Sequence, residues 1–185
     1  MDDAEETESH AVQRMLDGDE DAFRAVYRAV QPGLLRYLTV LVGRTDAEDV
    51  AAEAWAQVVR DLGRFRGDAD GFRGWVTTIG RNRALDLLRA QGRRPISDVP
   101  VEERSEYDDR DPRVSAEDET LALISTAEAL RLIATLPPDQ AEAVLLRAVV
   151  GLDARAAGEV LGKRPGAVRT AAHRGLRTLQ KRILG

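Results

Sequence analysis

Arg169, Thr170, His173, Arg174 and Arg177 fall within one arc of about 140° when the residues around them are laid out at about 100° each, and Lys181 joins them. Guanidinium, imidazole and hydroxyl donors on one helix face suit the acceptor edges of bases in a major groove and the oxygens of a phosphate backbone. Residues 163–182 hold five arginines and two lysines with no acid, a local net of +7 in a chain whose formal net charge is −5. The opposite arc carries Val168, Ala172, Leu176, Leu179 and Ile183, so this helix has an apolar side to bury and a basic side to present. By themselves these residues also fit a solvated basic face. The residues before them narrow the choice: Gly158, then Gly162, then Val168 has the spacing of a helix-turn-helix. In that motif a small residue allows close helix approach, a glycine ends the first helix, and an apolar residue anchors the second.

A second basic block spans residues 60–94, where nine arginines face four aspartates. Phe65, Arg66, Phe72, Arg81 and Asn82 lie within it. Phe72, Trp75, Val76, Ile79 and Leu87 make one helical stripe, with Asn82 on its flank, suited to reading a base edge. Arg83 and Asp86 lie close to that stripe and must pair with each other or with a neighbouring helix, because an unpaired buried charge is costly. Leu85 and Leu88 lie off it, marking a second packing surface or a partner contact. The glycine-rich run 63–74 is a loop that could receive an unstacked base or simply connect two helices. It is no EF-hand loop, since Phe72 and Ile79 stand where oxygen ligands are needed.

No bond-breaking chemistry is implied. Cysteine is absent, the two histidines, His10 and His173, are far apart, and neither a nucleophile–base pair nor a phosphate loop occurs. The expectation is a protein without enzyme activity, metal or cofactor. The acidic start lacks the pattern of a secretory signal, and no window approaches a membrane span, which predicts a cytoplasmic protein with no membrane insertion.

Charge alternates along the chain. Residues 1–21 carry nine acids and one arginine, and residues 98–119 carry ten acids and three arginines. The pattern predicts an all-α fold of two small helical domains joined by a flexible acidic linker: an acidic extension over 1–20, a first domain over 21–95, the linker over 96–119 and a helix-turn-helix domain over 120–185. In the first domain the periodicity predicts helices over Asp21–Val30, Leu34–Val42, from an Asp46 cap to Leu62, and over Phe72–Ala90, with Pro32-Gly33 separating the first two. In the second it predicts helices over 118–136, 139–150, 153–162 and 166–183.

Three segments in this order resemble a known family, the extracytoplasmic-function (ECF) sigma factors of bacterial RNA polymerase. "DAEDVAAEAW" (46–55) is similar to the family's polymerase-docking helix, "FRGWVTTIGRNRALDLLR" (72–89) to the segment that melts and reads the minus-10 element, and "LPPDQAEAVLLRAVVGL" (136–152) with the following helix-turn-helix to the domain that reads the minus-35 element. The resemblance implies that Ala47, Glu48, Asp49, Glu53 and Trp55 dock on the polymerase, chiefly its β′ subunit. It implies that Asn82 and the loop 65–72 meet a flipped minus-10 base, which makes Phe65, Arg66, Phe72, Arg81 and Asn82 the candidate minus-10 residues, and that Arg169, Thr170, His173 and Arg174 face the minus-35 groove. It further implies core RNA polymerase (β and β′ subunits), promoter DNA and an anti-sigma factor as partners. Ala52, Gly158 and His173 depart from the family's usual residues. Trp55 and Trp75 also read as core residues, and the alternative for the whole chain is a helix-turn-helix regulator that does not act as a sigma factor.

Overall fold

The computed structural model describes residues 2–96 and 126–184, and all regular structure among them is helical. In chain order the helices are α1 (Asp2–Leu16), α2 (Glu20–Val42), α3 (Arg44–Asp61), α4 (Ala69–Ala90), α5 (126–134), α6 (Pro138–Val144, running on as a π-turn over Leu145–Val149), α7 (Ala154–Leu161) and α8 (Pro165–Leu184). The acidic linker, apart from Ile96, and the start of the helix expected over 118–136 lie outside the described residues.

The expected break at Pro32-Gly33 is absent: α2 is one helix that contains Pro32. An interior proline costs roughly 3 kcal/mol. Beyond it, however, α2 fully buries Leu34, Tyr37, Leu38 and Leu41, at roughly 1.5–3 kcal/mol for each large apolar side chain. Burial therefore outweighs the broken hydrogen bond. The start of α2 is held by Asp19, whose carboxylate accepts from the backbone N–H groups of Asp21 (2.9 Å) and Ala22 (3.0 Å) and from Arg14 Nε (2.9 Å). The Ala22 N–H, then Arg14, holds the Asp19 carboxyl below its ordinary value.

The acidic N-terminal stretch forms α1, which buries Val12 and Met15 against the first half of the molecule and so adds a layer beyond the expected extension. Helix α3 starts two residues before the expected Asp46 cap, directly after Gly43, whose φ of 92° makes the sharp corner with α2. Asp46 lies instead in its first turn and pairs with Arg93 at 3.5 Å.

The helix-turn-helix follows the sequence reading closely. Asp153 caps α7 by accepting from Ala156 N–H at 2.7 Å, and Gly162 closes it in the left-handed conformation, φ 64°. Val168 on α8 is completely buried. Gly158 is where α7 meets the turn that leads into α8, since a Cβ there would lie 2.6 Å from the Lys163 carbonyl oxygen.

The two halves pack on each other. A Cβ on Gly33 of α2 would stand 3.1 Å from the Val149 carbonyl at the end of the π-turn, and one on Gly74 of α4 would stand 3.5 Å from the Ala156 methyl of α7. Gly158→Ala should destabilise the protein by about 1–3 kcal/mol through overpacking, whereas Gly166→Ala, which meets nothing within 4 Å, should be neutral or slightly stabilising. Urea unfolding of the two variants beside the wild type checks this.

Candidate nucleic-acid interface

The basic face of α8 is presented as its spacing requires, but the expected apolar side is buried only in part: Leu176 and Ile183 are 51% and 66% exposed. With Val168, Ala172 and Leu179 turned into the core, Arg169, Thr170, His173, Arg174 and Arg177 are all exposed. No ion pair within the described residues engages these three arginines. The Thr170 hydroxyl donates to the Gly166 carbonyl at 3.0 Å, which fixes its rotamer while leaving the oxygen able to accept.

The candidates of the first basic block are divided by the fold. The 3₁₀ turn Leu62–Arg64 leads into the loop before α4, whose Asp68 caps the helix by accepting from Gly71 N–H at 2.8 Å. Phe65 turns inward from this loop, stacked on Trp75 (centroids 5.1 Å apart, 26° between planes) and edge-on to Phe72 (5.3 Å, 84°). Phe72 is 0% exposed, so it supports the loop from beneath and has no free face for a base. Arg66 is exposed at the loop surface, its NH1 donating to the carbonyls of Gly63 (2.8 Å) and Phe65 (2.6 Å). Asn82 is exposed, with no hydrogen-bond partner among the described residues. Arg81, beside it, is occupied: its Nε and NH2 donate to Glu142 Oε1 (2.9 Å) and Oε2 (3.1 Å) in the other half of the molecule. Burial works to lower the Arg81 pKa, but the hydrogen bond and charge of Glu142 carry it above its ordinary value.

A cleft of about 640 Å³ lies between this loop and α7, lined on one side by Arg66, Trp75 and Thr78 and on the other by Asp153, Arg155 and Glu159. It sits at the junction of the two halves, with polar groups on both walls.

On α3, Glu48, Asp49 and Glu53 are exposed, while Ala47 and Trp55 are buried. Trp55 is 6% exposed; its indole N–H donates to Gln31 Oε1 at 2.7 Å, and its ring touches Phe23, Tyr27 and Phe72. Its place is the core under the acidic surface. Sequence reasoning passed over Val59, which is 56% exposed and shares the outward face with Glu48, Ala52 and Ala56. The signal was available, since these positions recur at helical spacing from Glu48. Two further expectations are resolved by packing. Arg83 bonds the neighbouring helix at Gln57 Oε1 (3.1 and 2.8 Å), and Asp86 pairs with Arg89 at 2.7 Å. Leu88 is buried in the core, which removes it as a partner contact and leaves half-buried Leu85.

Among the described residues no group of His, Cys, Asp or Glu side chains is placed to hold a metal, and no helix is long and apolar enough to cross a membrane.

Comparison with known proteins gives this arrangement its class. Residues 26–94 match the Sigma-70 region 2 family and residues 126–179 match Sigma-70, region 4, so the two halves correspond to two regions of a sigma-70-type transcription factor. The chain is 36% identical over 176 residues to the ECF RNA polymerase sigma factor ShbA of Streptomyces griseus, with 91% of each chain covered. It is 30% identical over 184 residues to the ECF RNA polymerase sigma-E factor of Haemophilus influenzae, covering 96% of this chain and 95% of that one. The chain belongs to the ECF sigma factors. Solved structures with the same fold include CnrH in complex with the cytosolic domain of CnrY (TM-score 0.61, 22% identity, 95% of this chain and 96% of that one). The sigma factor RpoE bound to the anti-sigma factor NepR from Bartonella quintana is another (TM-score 0.62, 16% identity, 88% and 96%).

Trp55→Ala should cost about 3–5 kcal/mol of stability, as loss of a buried aromatic does, whereas Glu53→Ala should change it by no more than about 0.5 kcal/mol. Chemical denaturation of both variants separates the core position from the surface position.

Proposed function

We propose that this protein binds core RNA polymerase in the cytoplasm, directs it to a promoter and assists opening of the DNA, with all bond-forming chemistry left to the polymerase. The observation that carries the reading is the exposed basic face of α8, whose Arg169, Arg174 and Arg177 have no ion-pair partner among the described residues, on a helix anchored from the opposite side by Val168. That face reads the minus-35 duplex. Arg169, near the start of the helix, meets a base edge, while Arg177 and Lys181, further along, hold phosphates. The loop 65–72 with Arg66 and Asn82 meets the minus-10 strand, supported from below by Phe65 and Phe72. The outward face of α3, a small apolar strip of Ala52, Ala56 and Val59 flanked by Glu48, Asp49 and Glu53, docks on the β′ subunit, while Ala47 and Trp55 hold that helix in place. CnrH is seen in complex with the cytosolic domain of CnrY and the sigma factor RpoE with the anti-sigma factor NepR; an anti-sigma factor is proposed here as well, with Leu85 among its contacts.

Run-off transcription with purified core polymerase tests the assignment: promoter-dependent transcripts are expected with this protein and none without it. The paired substitution Glu48→Lys and Asp49→Lys should weaken core binding at unchanged helical content, and unchanged affinity would remove α3 from the docking surface. In holoenzyme, Arg169→Ala should relax preference at one minus-35 position by about 1–3 kcal/mol. Arg177→Ala should instead weaken binding to all sequences and reduce the salt slope by about one ion. Binding to a panel of minus-35 variants at several salt concentrations distinguishes the two.

A further inference from the structure

Glu142 is one of the few buried polar residues among those described, 9% exposed on α6. Three donors from the other half converge on it. Tyr37 O–H donates to Oε1 at 2.8 Å across 105 residues of chain, and Arg81 closes a two-point contact on Oε1 and Oε2 across 61. Burial, then the neighbouring carboxylate, raises the Tyr37 phenol well above its ordinary value, so it remains a donor. Around this centre the halves approach at glycine: Gly33 against the Val149–Val150 backbone and Gly74 against Ala156.

A permanent junction gains little from a buried ion pair, since apolar residues of similar volume stabilise such a site as well or better. A charged pair is suited to a junction that opens, because both ends are well solvated once parted. A carboxylate held by two parallel N–H bonds also offers a guanidinium the acceptor geometry of a phosphate. Arg81 stands beside Asn82 on the segment proposed for the minus-10 strand.

We propose that Glu142 is an intramolecular phosphate mimic: it latches the C-terminal half onto Arg81 and Tyr37, and the latch must open before Arg81 can bind the backbone of single-stranded DNA. The nucleic-acid role of Arg81 rests on the functional reading above; the latch does not.

The test uses the free full-length chain. Because it contains no cysteine, spin labels can be placed at the exposed positions Arg28→Cys and Gln180→Cys without interference. The expected result is a single narrow distance distribution that shifts and broadens in Glu142→Gln and in the milder Tyr37→Phe, with the helical circular dichroism unchanged. In parallel, a fluorescent single-stranded oligonucleotide should bind Glu142→Gln roughly tenfold tighter than wild type, the ratio equivalent to about 1.4 kcal/mol. Adding Arg81→Ala should abolish that gain. A wild type already open, or distances unmoved in both folded variants, overturns the latch. Opening without tighter binding, or a gain that survives Arg81→Ala, overturns the competition for Arg81. Failure of the run-off assay with distances behaving as expected removes the sigma-factor reading and leaves the latch standing.

Discussion

The fold hangs on the continuity of α2. Leu34, Tyr37, Leu38 and Leu41 lie beyond Pro32, and each is completely buried. These residues meet layers from both parts of the chain: Leu34 lies where α4 crosses at Gly80, a Cβ on which would stand 2.9 Å from Leu34 Cδ1, and Tyr37 reaches Glu142. A helix ending at Val30 would leave both contacts without a fixed frame. The proline is tolerated because the free energy of burial on its far side is several times the local penalty.

Aromatic side chains are few, and their placement is not even. The chain has two tryptophans, three tyrosines and three phenylalanines, and six of these eight rings form one connected cluster from Phe23 through Trp55 and Phe72 to Phe65 and Trp75. The cluster joins the underside of α3 to the underside of the loop before α4. The surface proposed for polymerase and the loop proposed for DNA therefore share one rigid support, which keeps their relative position fixed.

The sequence made the local structure legible wherever one interaction dominates. Gly162, Val168 and the basic arc of α8 could be read directly, because a left-handed cap, an apolar anchor and unpaired surface charge are each decided within a few residues. Pro32 misled because a local rule was overruled by packing that is invisible in a short window. Trp55 and Phe72 could be assigned to the helices they occupy, but spacing does not distinguish an aromatic that faces a partner from one that faces the core. Glu142 was illegible for a stronger reason: nothing near it in the chain explains a buried carboxylate, and its partners Tyr37 and Arg81 are remote in sequence.

That remoteness also sets an order of events during synthesis. The helices of the first half are closed by contacts among residues 2–96, and helical units of this kind assemble quickly from local pairings. At about 5–20 residues per second, the 61 residues separating Arg81 from Glu142 delay the carboxylate by roughly 3–12 s. A nascent chain thus holds a finished first half whose central arginine faces water before its partner has been made. For that interval the ribosome, itself an RNA-rich surface, is the nearest polyanion.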